Sequence, residues 1–145
     1  MIQRIQSLYL LLAAVSYAAL FFLPIVTTKT PFGTIMADGV FYTTEHSWLT
    51  AFAALATVVI AVTILLYNNR PLQLKMSLLA TLFSAAWIFM ALYKIVVLDT
   101  KGGEDIFVSH SIAFFALLAG ILFTALGFYN IKKDESTVRS MDSLR

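Results

Sequence analysis

At 145 residues, 60% of them hydrophobic and only 12% charged, the chain carries more apolar surface than a soluble domain of this size can bury. With no cysteine it excludes disulfide staples, thiolate metal sites, a cysteine nucleophile and cysteine lipidation. A net charge of +2 defines no partner by itself, so the placement of the charges matters more than their sum.

The apolar residues fall into four stretches, 8–26, 48–67, 76–98 and 109–129. Each is close to the ~20 residues that an α-helix needs to cross the hydrocarbon core of a bilayer. Between Leu8 and Leu98 the first three stretches hold one charged side chain, Lys94, and the fourth holds none. Arg4 followed by an apolar run raises the question of a cleaved signal peptide. The run is longer than a signal core and has no Ala-x-Ala pattern before Thr27, so a retained first helix ending near Pro24 is expected.

Between the first two spans, the loop 27–47 offers the chain's β-structure. Thr34, Ile35, Met36 and Ala37 on one side, and Val40, Phe41, Tyr42 and Thr43 on the other, flank Asp38 and Gly39, a pair suited to a tight hairpin turn. Asn68, Asn69, Arg70 and Pro71 join spans two and three in a short turn, which makes those helices antiparallel neighbours. Asp99 through Asp105 reads as a second polar turn, between spans three and four. Small residues recur at i, i+4 along three spans: Ala53, Thr57 and Ala61; Ser77, Thr81 and Ala85; Ala116, Gly120 and Thr124. On the fourth, Ala113, Gly120 and Gly127 also lie seven apart. Such stripes let helix backbones approach closely where lipid supplies no hydrophobic drive, and read most simply as seams inside the bundle. The tail 130–145 is polar and mixed in charge, with Glu135 and Arg139 spaced for an i, i+4 pair on a helical extension.

Charge placement orients the chain. With the N-terminus inside, Arg4, Arg70, Lys75, Lys132, Lys133, Arg139 and Arg145 face the cytoplasm, and Lys29, Lys94 and Lys101 face outward. Seven cations against three satisfies the positive-inside rule. Trp48, Tyr67, Tyr93 and Tyr129 stand near span ends, where aromatic rings anchor at headgroup depth. The expected fold is therefore all-α and membrane-embedded: a four-transmembrane-helix bundle over 1–145, with a small periplasmic β-hairpin between helices 1 and 2 and a polar C-terminal helical extension. Both termini are expected in the cytoplasm and the protein in the bacterial inner membrane.

Chemistry-bearing groups are few. Lys94 lies about one turn from the polar loop, so its stem can snorkel to the interface, the plainer of two readings beside a transport role. His46 and His110 sit at the same outer mouth near Glu45, Glu104 and Asp105, but no ligand spacing holds them together, and no metal is expected. No Gly-rich phosphate loop, HExxH helix or nucleophile elbow appears, so neither enzyme nor cofactor is expected. The mid-span hydroxyls Thr57, Thr81, Ser84 and Thr124 can bond to their own helices.

The two ends carry a resemblance. Met1, Ile2, Gln3, Arg4, Ile5, Gln6, Ser7, Leu8, Tyr9, Leu10 and Leu11 at the start, and Ile131, Lys132, Lys133, Asp134, Glu135, then Val138, Arg139, Ser140, Asp142, Ser143, Leu144 and Arg145 at the close, resemble a bacterial family of small four-span inner-membrane proteins known as domain of unknown function 4293. Asp38 and Gly39 fit it as well. Where similar members tend to end in an Asp-Arg-Leu-Arg-like run, this chain has Ser143. The resemblance implies a four-helix membrane fold and supplies no catalytic residues. It directs attention to the two ends, where Gln3, Arg4, Gln6, Lys132, Lys133, Asp134, Glu135 and Arg139 form an expected docking face. A non-enzymatic accessory subunit is the leading expectation, with a membrane-protein partner or a second copy on that face. A small carrier using Lys94 is the alternative. The bilayer is the expected environment, and no nucleic-acid partner is expected.

Overall fold

The computed structural model describes residues 2–27, 38–102 and 112–142. Four helices carry the chain: α1 (Ile2–Ala19), α2 (Ser47–Leu65), α3 (Arg70–Gly102) and α4 (Ile112–Asp142). Strands β1 (Pro24–Thr27) and β2 (Val40–Tyr42) form an antiparallel pair between α1 and α2, followed by one 3-10 turn, Thr43–Glu45. Each helix packs on the next, and α4 closes the ring by packing most extensively on α1. Helices α1 and α3 therefore stand on a diagonal.

Buried positions explain the packing. On α1 and just beyond it they are Gln6, Leu10, Ala13, Tyr17 and Leu20, and on α4 they are Ala113, Leu117, Gly120, Thr124, Gly127 and Ile131. Helix α3 repeats the pattern at Gln73, Ser77, Ala80, Ser84, Trp87 and Ala91. Alternating steps of three and four give a 3.5-residue period, the spacing of helices crossing at about +20° with knobs seated in holes. Glycines stand where α4 approaches α1 most tightly. A Cβ at Gly127 would meet Leu10 Cδ2 at 3.0 Å, and one at Gly120 would meet the Tyr17 ring at 2.6 Å. The stripe on α4 is thus an intramolecular seam. The stripes on α2 and α3 depart from expectation, because Ala61 and Ala85 are exposed. A strict four-residue step drifts off a seam whose period is 3.5.

Outward faces are apolar as well. Phe89, Phe115, Val15 and Leu82 are all more than half exposed. Windows in Ser47–Leu65, Arg70–Val97 and Ile112–Asp134 have mean hydropathies of 2.3, 1.8 and 2.2, yet only 33%, 22% and 28% of each is buried. Side chains of this kind facing outward from three helices, each long and apolar enough to span a bilayer, mark a membrane protein.

Two boundaries differ from the sequence reading. Span one was read as an apolar stretch over 8–26 with its helix ending near Pro24, but α1 stops at Ala19. Turn bonds from the amides of Leu20, Phe21 and Phe22 to the carbonyls of Tyr17, Ala18 and Ala19 finish it. Pro24 lacks an N–H and disfavours helix at Leu23, so the chain turns and enters β1. A hairpin does stand between α1 and α2, with β2 where expected and Gly39 at φ 73° in the turn region. Its described partner is Pro24–Thr27, with Val26 opposite Phe41 and Thr27 opposite Val40. The arm expected at Thr34 to Ala37 lies outside the described residues. The second difference is at Asp99, Thr100, Lys101 and Gly102, read as turn but helical in α3. No proline interrupts them, and the helix runs on to the first glycine.

Candidate functional site

Polar contacts gather at three levels. The first is the end that carries both termini. Gln6 is buried, and its Nε2 donates to the Asn130 carbonyl at 3.2 Å and to Asp134 Oδ2 at 2.6 Å. From α3, Arg70 Nη1 donates to the Asp134 carbonyl at 3.5 Å. Gln73, also buried, donates from Nε2 to the Thr63 carbonyl at 3.2 Å and ties α3 to α2. Asn69 Oδ1 accepts the Leu72 amide at 3.3 Å and caps the start of α3. Asp134 is thus held by α1 through its carboxylate and by α3 through its carbonyl. Beyond it α4 continues eight residues to Asp142, about 12 Å of helix.

The expected docking residues divide at this end. Gln6 and Asp134 meet and are spent on each other, while Lys132 and Lys133 point outward and are exposed. Gln3 and Arg4 lie in the first turn of α1, and Glu135 and Arg139 in the last turns of α4. The side chains of these four are outside the described set.

The second level is mid-bundle. Tyr17 Oη lies 3.2 Å from Ser84 Oγ on α3 and 3.1 Å from Thr124 Oγ1 on α4. Ser84 also reaches the Ala80 carbonyl at 2.9 Å, and Thr124 the Gly120 carbonyl at 2.8 Å, as Thr57 and Thr81 reach their own helices. Three hydroxyls have three protons for these contacts. If Ser84 and Thr124 both donate to their own carbonyls, Tyr17 donates to one of them and the other contact has no proton. The Tyr17 hydroxyl thus lies between hydroxyls of two other helices and brings α1, α3 and α4 together at one side chain. One turn along α3, Trp87 is fully buried, with its ring edge-on to Phe114 at 5.9 Å. The sequence reading did not single out Tyr17, which lies at the middle of the expected span 8–26 among residues that are all apolar or small. Its signal was its place among Leu10, Ala13 and Leu20 at seam spacing.

The third level is the hairpin end. His46 takes the N-cap position of α2 without a side-chain cap bond. Burial holds its imidazole below the ordinary value, and the charge of Lys94 pushes the same way. Lys94 itself is half-buried on α3. Glu45 is raised by burial, an effect the Tyr42 amide opposes and Asp38 reinforces; Tyr42 N–H donates to Glu45 Oε1 at 3.2 Å. His110, Glu104 and Asp105 lie outside the described residues. Among the described residues no three His, Asp or Glu side chains cluster as metal ligands.

Apolar outward faces around a seam of small and hydroxyl-bearing residues define a helical membrane protein. Its family follows from the chain as a whole. Residues 2–144 match the family model described as Domain of unknown function (DUF4293), and the chain belongs to that family. No curated protein and no solved structure matches it.

Proposed function

We propose that the protein is a non-enzymatic accessory or assembly subunit of a larger envelope complex, set in the inner membrane with both termini in the cytoplasm. Its working part is the α4 arm beyond Asp134. The observation that carries this reading is the double hold on Asp134, by Gln6 and by Arg70, which gives the projecting helix a fixed direction. A helix held in this way presents its exposed face to a partner with little ordering cost. The seven-to-three placement of cations supports the cytoplasmic orientation. Gentle detergent extraction followed by crosslinking through the arm tests it. A defined crosslinked species is expected from the full chain and not from one lacking residues 132–145. Monomer alone from both would contradict the proposal.

A second reading rests on Lys94, a half-buried cation beside His46 at the hairpin end. There the protein would be a small carrier for a lipid or solute. Lys94→Met separates the two: unchanged flux or growth removes this reading and leaves the first intact.

A further inference from the structure

The buried stripe on α3 does not stop at Ala91. Its next three-residue step is Lys94, half-buried, so a cation closes a stripe that otherwise faces the other helices. Lys94 lies about 32 Å along α3 from Gln73, and His46 about 26 Å along α2 from Thr63, whose carbonyl Gln73 holds. The two helices run antiparallel, so the Lys94 backbone stands about one turn beyond His46. Helical side chains lean toward their helix N-terminus, which carries the ammonium back toward the imidazole that feels its charge. Among the described residues no carboxylate pairs with Lys94.

The start of α2 is equally short of acceptors. Thr50 Oγ1 donates to the Thr43 carbonyl at 2.9 Å and to the His46 carbonyl at 3.1 Å, folding the preceding turn onto the helix. The first helical bond runs from the Thr50 amide to the His46 carbonyl at 3.0 Å. The amides of Ser47, Trp48 and Leu49 thus precede the ladder, and no acidic residue stands in this first turn. Thr43 is fully buried, and its Oγ1, like His46 Nδ1, is buried without a hydrogen-bond partner among the described residues. Glu45 does not supply one, since its Oε1 takes the Tyr42 amide. Buried polar groups that the chain leaves unpaired mark a place that a water, ion or ligand satisfies.

We infer that this corner, between the start of α2 and Lys94 of α3, binds a phosphate group, with Lys94 supplying the charge and Thr43, His46 and the first α2 amides supplying hydrogen bonds. Every group named can donate, and an anion with several oxygens accepts from all of them. Lysine serves phosphate as a point charge and demands no single geometry. Trp48, in the first turn of α2, and Tyr93, next to Lys94, are exposed at a span end, where such rings meet lipid headgroups. A phospholipid headgroup and a free phosphate ester are therefore two sources of the same chemistry. The inference shares Lys94 with the carrier reading but rests on binding alone, so absent flux removes the carrier and leaves this site standing.

Isothermal titration of the full chain in maltoside micelles tests it, with glycerol phosphate and dihexanoyl phosphatidylglycerol as the two probes. Saturable binding of one probe per chain is expected. Tighter binding of the lipid assigns the site to a headgroup, and equal binding of both assigns it to a free ester. Lys94→Met and Lys94→Gln each remove a charge-assisted contact and should weaken binding about ten-fold or more, whereas Lys94→Arg should largely keep it. Thr43→Val keeps the side-chain shape without the hydroxyl and should weaken it about five-fold. Lys132→Gln, at the other end of the bundle, should leave it unchanged. A wild-type chain that binds neither probe saturably would overturn the inference. So would a Lys94 variant of wild-type helicity that binds as the wild type does. Equal weakening by Lys132→Gln would assign the binding to overall charge and also overturn it.

Discussion

A single methyl group added at Gly120 would lie 2.6 Å from Tyr17 Cε1 and 2.8 Å from Cδ1. Carbon atoms rest at about 3.5–4.0 Å, so α1 and α4 would have to part by roughly 1 Å. The ring cannot readily swing aside, since it is fully buried and its hydroxyl sits between Ser84 and Thr124. Overpacking of this kind costs about 1–3 kcal/mol. The intrinsic helix preference of alanine over glycine returns about 0.5–1 kcal/mol. Gly120→Ala is therefore expected to destabilise by up to about 2.5 kcal/mol net. Unfolding in mixed micelles by added denaturing detergent, followed by helicity, measures it. In a Tyr17→Leu background the clashing ring atoms are gone, and the same substitution should be neutral or stabilising. A coupling between the two sites below about 0.5 kcal/mol, the scatter of independent positions, would refute the reasoning.

Three further outcomes follow from the same contacts. Gln6→Leu removes the donor to the Asp134 carboxylate and should cost about 1–3 kcal/mol, part of it recovered when Asp134→Leu removes the orphaned charge; full independence of the two substitutions in the same unfolding assay would count against the clasp. The His46 imidazole, held below its ordinary 6.5, is neutral in the fold while the unfolded chain takes up a proton. Stability linked to it is thus complete above 6.5 and falls as pH drops through that value toward the folded one. Glu45, raised above 4.5, works in the opposite sense, its contribution being present at acid pH and lost as pH rises through the folded value. His46→Gln should flatten the loss near 6.5, and an unchanged slope in a pH series of unfolding midpoints would contradict the assignment. Lys94→Met should reduce that slope without removing it, because burial is the larger cause.

The helices were legible because apolar length survives any packing, and β2 because Asp38 and Gly39 announce a turn that Gly39 makes with positive φ. The end of α1 was not, since residues 20–26 are as apolar as a helix and only the backbone consequence of Pro24 separates them. The seam was harder. In a soluble bundle polar outer faces expose the 3.5 period, but here Leu82 and Phe89 face outward as freely as Trp87 faces inward. Only small and hydroxyl-bearing residues mark the buried side, and reading them at a four-residue step found α4 and lost α2 and α3. Gln6 shows the limit at the terminal end. Gln6 was read as part of a docking face, and nothing local reveals that Asp134, distant in sequence, takes its amide.

The claim on which the account turns is that the terminal end faces the cytoplasm and the hairpin end the other side of the membrane. The chain has no cysteine, so single cysteines report without background. Ser136 and Thr44 are exposed at opposite ends and serve as the two positions. With an impermeant thiol reagent on cells whose outer membrane alone is opened, Thr44→Cys should label at once and Ser136→Cys only after the inner membrane is breached. The reverse pattern, or equal labelling of both positions, would contradict it.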